Sequence, residues 1–111
     1  MSLPTLSDDG LIGFAAARFS LLAEPMRLRI LLCLEQGERS AGDVARAVDG
    51  SQPNISRHLQ ALHSGQVLRR RREGNTIYYS IADPAILKIC ELMCRSRERA
   101  TPPGRRARGR T

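Results

Sequence analysis

From Ser40 to Gly65 the chain carries two short helical patterns with almost nothing between them. The first is SAGDVARAV (40–48). Ser40 is placed to cap it, and Asp43 follows three residues on in the manner of a capping box. The second begins after Ser51, another capping residue, with Pro53 suited to its first turn. Its residues Ile55, Leu59 and Leu62 fall at i, i+4 and i+7 and make a single apolar stripe. Gly65 stops it. Asp49 and Gly50 are left to make the turn. Two short helices joined this tightly, the second with an outward polar face, form a helix–turn–helix pattern.

The flanking segments complete the order. Residues 1–10 read as a flexible lead-in. LIGFAAARFSLLA (11–23) is apolar at helical spacing, with Leu11, Phe14, Ala15, Phe19 and Leu22 on one side. EPMRLRILLCLEQG (24–37) is a second helix, with Pro25 in its first turn and Gly37 past its end. After Gly65 the period changes. Ile77, Tyr79 and Ile81 alternate with Tyr78 and Ser80, which predicts a strand. EGN (73–75) is turn chemistry, so residues 66–83 form a β-hairpin. The last helix is DPAILKICELMCRSRE (83–98). Lys88, Glu91 and Arg95 make a narrow charged strip, and apolar residues fill more than half of the circumference. A helix buried on one side needs a narrower stripe, so this one has two surfaces to cover, one against its own core and one against a partner subunit. Residues 99–111 are Pro, Gly and Arg with nothing to bury and read as a disordered tail. The predicted fold is therefore mainly α with a β-hairpin, in the order α-α-α-α-β-β-α, one domain over 11–98, and dimeric.

The polar face of the helix after Ser51 carries Gln52, Asn54, Ser56, Arg57 and Gln60. Asn and Gln pair bidentately with adenine, Arg with guanine, and Ser with bases or phosphate. A solvated helix shows such a face too, so the neighbouring hairpin matters. Its four adjacent arginines, 69–72, place two side chains on each side of the strand. With Glu73, Gly74 and Asn75 at the tip, it suits a wing that grips phosphates beside a groove. The formal net charge of +7 is weaker evidence. Residues 95–111 hold seven arginines against Glu98, so six of those charges belong to the C-terminal end.

Three stretches, LAEPMRLRILLCL (22–34), SQPNISRHLQALHSGQVL (51–68) and RREGNTIYYSIAD (71–83), resemble the ArsR/SmtB family of winged helix–turn–helix repressors. The resemblance covers about residues 11–98. It implies a homodimeric, cytoplasmic repressor on a two-fold symmetric DNA operator, released by an inducer. It places the dimer interface on the first and last helices, which here offers Leu11, Phe14, Ile86, Ile89 and Met93. DNA contacts would come from Gln52, Asn54, Ser56, Arg57, His58 and Gln60 in the helix, and from Arg70, Arg71, Arg72 and Asn75 in the wing. His58 and His63 are five apart and do not share a helix face, which argues against a metal pair.

Inducer sites vary within this family. The arsenite pattern puts a Cys-x-Cys motif in the third helix, where this chain has no cysteine. The zinc pattern in the last helix needs Asp and His; Asp83 is present, but no His follows residue 63. Persulfide-sensing members pair a second-helix cysteine with one in the last helix. Cys33 matches the first, but Cys90 and Cys94 lie a turn or two short of the second.

The thiols themselves allow three roles. Cys90 and Cys94 are i and i+4, with Cβ atoms about 5–6 Å apart, wider than the roughly 3.5–4.5 Å of a disulfide. A thiophilic ion such as As(III), Sb(III) or Cd(II) tolerates that gap, since metal–sulfur bonds of about 2.3 Å let the sulfurs stand almost 4 Å apart. A third thiolate would come from Cys33 or from the partner subunit, and a crosslink from Cys33 to Cys90 or Cys94 is the other role open to it. Alternatively all three cysteines only pack, as buried thiols often do. Cysteines this few do not make a disulfide framework, and no cofactor is obligatory.

No run is apolar enough to span a bilayer, and MSLPTLSDDG is not a secretory signal. No carboxylate cluster, Gly-rich phosphate loop or nucleophile–base pair suggests an enzyme. The competing class is an architectural protein that binds nucleic acid without sequence preference through its wing and tail.

Overall fold

The computed structural model describes residues 5–100. Helices α1 (Asp9–Leu22) and α2 (Pro25–Cys33) lead through a 3₁₀ turn (Leu34–Gln36) into a two-residue strand, β1 (Arg39–Ser40). Then follow α3 (Ala41–Ala47), α4 (Gln52–Ser64), the hairpin β2 (Leu68–Glu73) and β3 (Thr76–Ile81), and α5 (Pro84–Ala100). This is a winged helix–turn–helix, as the sequence predicts, with one addition. β1 pairs antiparallel with β3, Arg39 opposite Tyr79 and Ser40 opposite Tyr78, so the sheet has three strands in the order β1-β3-β2. No local pattern marks a strand two residues long.

Local chemistry sets most of the ends. Ser40 Oγ accepts from the Asp43 N–H at 3.1 Å, and Ser51 Oγ accepts from the Asn54 N–H at 3.4 Å. Only half of the predicted capping box forms, because the Asp43 carboxylate turns to Arg46. Asp83 caps α5, its Oδ1 accepting from the Ala85 N–H at 3.0 Å. Its Oδ2 holds Arg18 of α1 at 3.3 Å. At the hairpin tip only Gly74 has positive φ, +63°, the pattern of a II′ turn with glycine first. Gly65 ends α4 differently from expectation. Its own φ is −82°, and Gln66 takes the left-handed conformation at +64°. What Gly65 supplies is room, since a β-carbon there would run into the side chain of Leu21.

The core lies where α2, α3, α4, the base of the hairpin and α5 meet. Ile30, Leu31, Val44, Ile55, Leu59, Leu62 and Val67 are fully buried, each worth roughly 1.5–3 kcal/mol over exposure. The stripe Ile55, Leu59, Leu62 is thus what holds α4 down.

α1 and α5 depart from self-contained packing. Leu11, Phe14 and Phe19 on α1, and Leu92 and Met93 on α5, stay exposed, Phe14 at 56% and Met93 at 67%. The wide apolar arc of α5 is divided: Ile86 and Cys90 enter the protomer core, and Leu92 and Met93 do not. Ile86, at 2% exposure, therefore cannot belong to a dimer face as the sequence reading has it. Ile89 is half-buried. The charged strip forms as predicted, Glu91 holding Lys88 at 3.5 Å and Arg95 at 2.8 Å.

Two boundaries move. α1 begins at Asp9, inside the span read as lead-in, and α5 runs to Ala100, into the span read as tail. The remainder of the tail, 101–111, lies outside the described residues. No described helix is long and apolar enough to cross a membrane.

Candidate nucleic-acid interface and thiol cleft

The turn between α3 and α4 is Val48–Asp49–Gly50. Asp49 adopts a left-handed φ of +56°, a conformation that Asp tolerates better than most residues. Gly50 has no such twist to explain it. A β-carbon on Gly50 would stand 2.7 Å from Cδ1 and 2.9 Å from Cγ1 of Ile55. The glycine lets the turn lie directly on the first buried residue of α4, and this sets the depth at which α4 is seated.

With Ile55, Leu59 and Leu62 buried beneath it, α4 turns Gln52, Arg57 and Gln60 out to solvent and leaves Asn54 and Ser56 half-exposed. Arg57 donates to Asn54 Oδ1, so the two side chains present one joined donor–acceptor group. These five predicted residues share one accessible face. His58 does not. It is buried at 8% exposure, and its Nδ1 accepts from Arg27 Nε at 3.1 Å. Arg27 is itself held by Glu24 at 3.3 Å and by the Leu21 carbonyl at 3.1 Å. His58 is thus a link between α4 and α2 and not a DNA contact. Its place follows from helical spacing, since residue 58 lies beside the 55–59–62 stripe.

The wing arginines are not equivalent. Arg71 reaches Glu38 with two contacts of 2.8 Å and Glu73 with one of 3.4 Å. Its guanidinium lies 4.5 Å from the centre of the Tyr78 ring. Hydrogen bonding to Arg71 holds the Glu38 carboxyl below its ordinary range, and the carboxylate in turn raises Arg71. Arg71, expected as a phosphate contact, is engaged by these carboxylates within the fold while its side chain stays 51% exposed. Arg72 Nε donates to the Gly74 carbonyl at 3.2 Å. All four arginines are exposed, but among the described residues Arg69, Arg70 and Asn75 have no side-chain partner, and Arg69 is one that the sequence-based set of DNA contacts omits. Its signal was the run 69–72 itself. Glu38 had no local signal at all.

The three cysteines are free and do not share one cavity. Buried Cys90 and exposed Cys94 line a cleft of about 560 Å³ between α5 and the end of α2, with Leu32, Glu35, Glu91 and Arg95 on its walls. Burial, and then the charge of Cys94, push the Cys90 thiol above its ordinary pKa. Half-buried Cys33 lines a different cleft, which shares only Leu32 with the first. Among the described residues no group of three His, Cys, Asp or Glu side chains is arranged to hold a metal ion. A pair of thiols is what one protomer offers.

Comparison with known proteins bears on both features. A family model described as a helix-turn-helix domain matches residues 22–71. The nodulation protein NolR of Rhizobium meliloti is 41% identical over 75 residues, 68% of this chain and 62% of that protein. The match thus spans less than two thirds of that relative's length. A homodimeric winged helix–turn–helix DNA-binding domain from Mycobacterium bovis, described as a possible ArsR-family transcriptional regulator, superposes with a TM-score of 0.73 at 33% identity, over 88% of this chain and 91% of that one. The AntR antimony-specific transcriptional repressor superposes with a TM-score of 0.75 at 35% identity, over 90% and 88%.

Proposed function

The chain belongs to the ArsR/SmtB family of winged helix–turn–helix transcriptional repressors, and from that membership we propose that it acts as a homodimer on a two-fold symmetric operator and lets go when a thiophilic metalloid binds Cys90 and Cys94. The observation that carries the DNA reading is the shared exposed face of Gln52, Asn54, Ser56, Arg57 and Gln60 on a helix locked underneath by three buried aliphatic residues. Docked end-on in a major groove, that face reads base edges, while Arg69, Arg70 and Asn75 reach the flanking phosphates. Exposed Leu11, Phe14 and Met93 suit the partner subunit, which would set the two α4 helices about one DNA turn apart.

For the inducer, the supporting observation is that Cys90 and Cys94 share a cleft and Cys33 does not. Two thiolates one helical turn apart suit As(III) or Sb(III), with a third ligand from the partner subunit or solvent. Such a ligand acts by binding one dimer arrangement better than the other. The decisive test is anisotropy of the reduced protein on its upstream DNA, titrated with arsenite under a phosphine reductant. Release by wild type but not by Cys90→Ser/Cys94→Ser supports this reading. Equal release by both sinks the thiol site and leaves the DNA-binding role standing.

A further inference from the structure

The cleft that holds Cys33 has a use of its own. Arg29 and Leu32 of α2, Arg39 of β1, and Val48 and Asp49 of the helix–turn–helix turn line it beside Cys33, around a volume of about 540 Å³. Most arginines outside the wing are paired: Arg18, Arg27, Arg46, Arg57 and Arg95 each have a partner. Among the described residues the side chains of Arg29 and Arg39 have none, and both residues line this cleft. Asp49 is the one carboxylate in the lining, so the residues around this space carry one positive charge in excess.

From this arrangement we infer a binding site for a small organic monocarboxylate, separate from the thiol cleft. The volume falls within the usual range of roughly 300–1,000 Å³ for small-molecule sites. One excess positive charge matches a monoanion, and guanidinium forks favour the planar carboxylate. Leu32 and Val48 give an apolar wall for the body of the ligand. The occupant would join three elements that matter to DNA reading. Arg39 opens the sheet that carries the wing, Asp49 holds the strained turn that aims α4, and Arg29 stands on the helix beneath them. A ligand that draws Arg29 and Arg39 together alters the angle between wing and recognition helix.

The test uses the full chain without DNA, so its failure would leave the DNA-binding role untouched. Benzoate is the probe and uncharged benzamide its control. Benzoate should shift the backbone amide resonances of Arg29, Arg39 and Asp49 saturably. It should also slow iodoacetamide alkylation of Cys33 several-fold while leaving Cys94 unchanged. Benzamide should do neither, and Arg29→Gln/Arg39→Gln should abolish both effects. Neither arginine has a partner to lose, so that variant should keep the wild-type circular dichroism spectrum. Absence of the benzoate shifts, equal shifts with benzamide, or their persistence in the double variant would overturn the inference.

Discussion

Arg71 clasps both carboxylate oxygens of Glu38, Nε to Oε2 and Nη2 to Oε1, each at 2.8 Å. The two residues are 33 positions apart, and their pairing ties the wing to the segment entering β1. Glu38→Gln should therefore release a charge that the fold keeps to itself. We expect the slope of log affinity against log salt, on nonspecific DNA, to steepen by up to about one counterion. An unchanged slope would mean that Arg71 is already free in solution. The pH dependence has a definite sign. The folded-state pKa of Glu38 is lowered, so the tie is intact above the ordinary carboxylate pKa and opens as pH falls through the lowered one. The Arg71 Nε–H resonance should follow that acid-side loss.

Gly50→Ala should destabilise the protein by about 1–3 kcal/mol, the usual cost of forcing atoms into a packed core. The new β-carbon meets fully buried Ile55, which has nowhere to go without lifting α4. Urea denaturation gives the number, and operator affinity should fall with it.

Arg57 and His58 are neighbours in sequence with opposite duties. Arg57→Ala should lose about 1–3 kcal/mol of operator binding with the melting temperature unchanged. His58→Ala strands the part-buried Arg27 N–H and should cost about 1–3 kcal/mol of stability with little effect on the salt slope. Melting curves and anisotropy on both variants separate the roles. Equal losses of DNA affinity at constant stability would restore His58 to the interface.

The cysteines should alkylate in a fixed order. Cys94 is exposed, whereas Cys90 is buried with its thiol pushed up in pKa. At neutral pH Cys94 should react first. Raising the pH should speed Cys90, and Cys94→Ser should bring its titration part of the way back toward the ordinary thiol value, because burial remains but the charge of Cys94 is gone. Mass spectrometry of timed iodoacetamide reactions resolves each site.

Met93→Asp and Ile86→Asp divide the two surfaces of α5. Met93 is exposed and Ile86 is in the core. The first should give a folded monomer by light scattering, with operator binding lost. The second should unfold the chain, since an unpaired buried carboxylate costs several kcal/mol. A dimeric Met93→Asp protein would move the interface elsewhere.

Local order was legible in the sequence because local order is written in neighbours. The period of Ile55, Leu59 and Leu62, the caps at Ser40 and Ser51, and the alternation through Ile77, Tyr79 and Ile81 each lie within a few residues, and each element formed where they placed it. The exposed face of α4 followed, because burying one stripe of a helix fixes what remains outside. Tertiary structure alone decided which side chains met across long separations. Strand β1 exists because Arg39 and Ser40 find the free edge of β3. Arg71 is paired within the fold because Glu38, 33 residues earlier, comes within hydrogen-bonding reach of it. His58, placed inward by helical spacing, finds its partner in Arg27, 31 residues away. Cys33 opens away from Cys90 and Cys94 because the α2–α5 packing puts them on different clefts. Periodicity says which face of a helix is buried; only the assembled core says what stands against it.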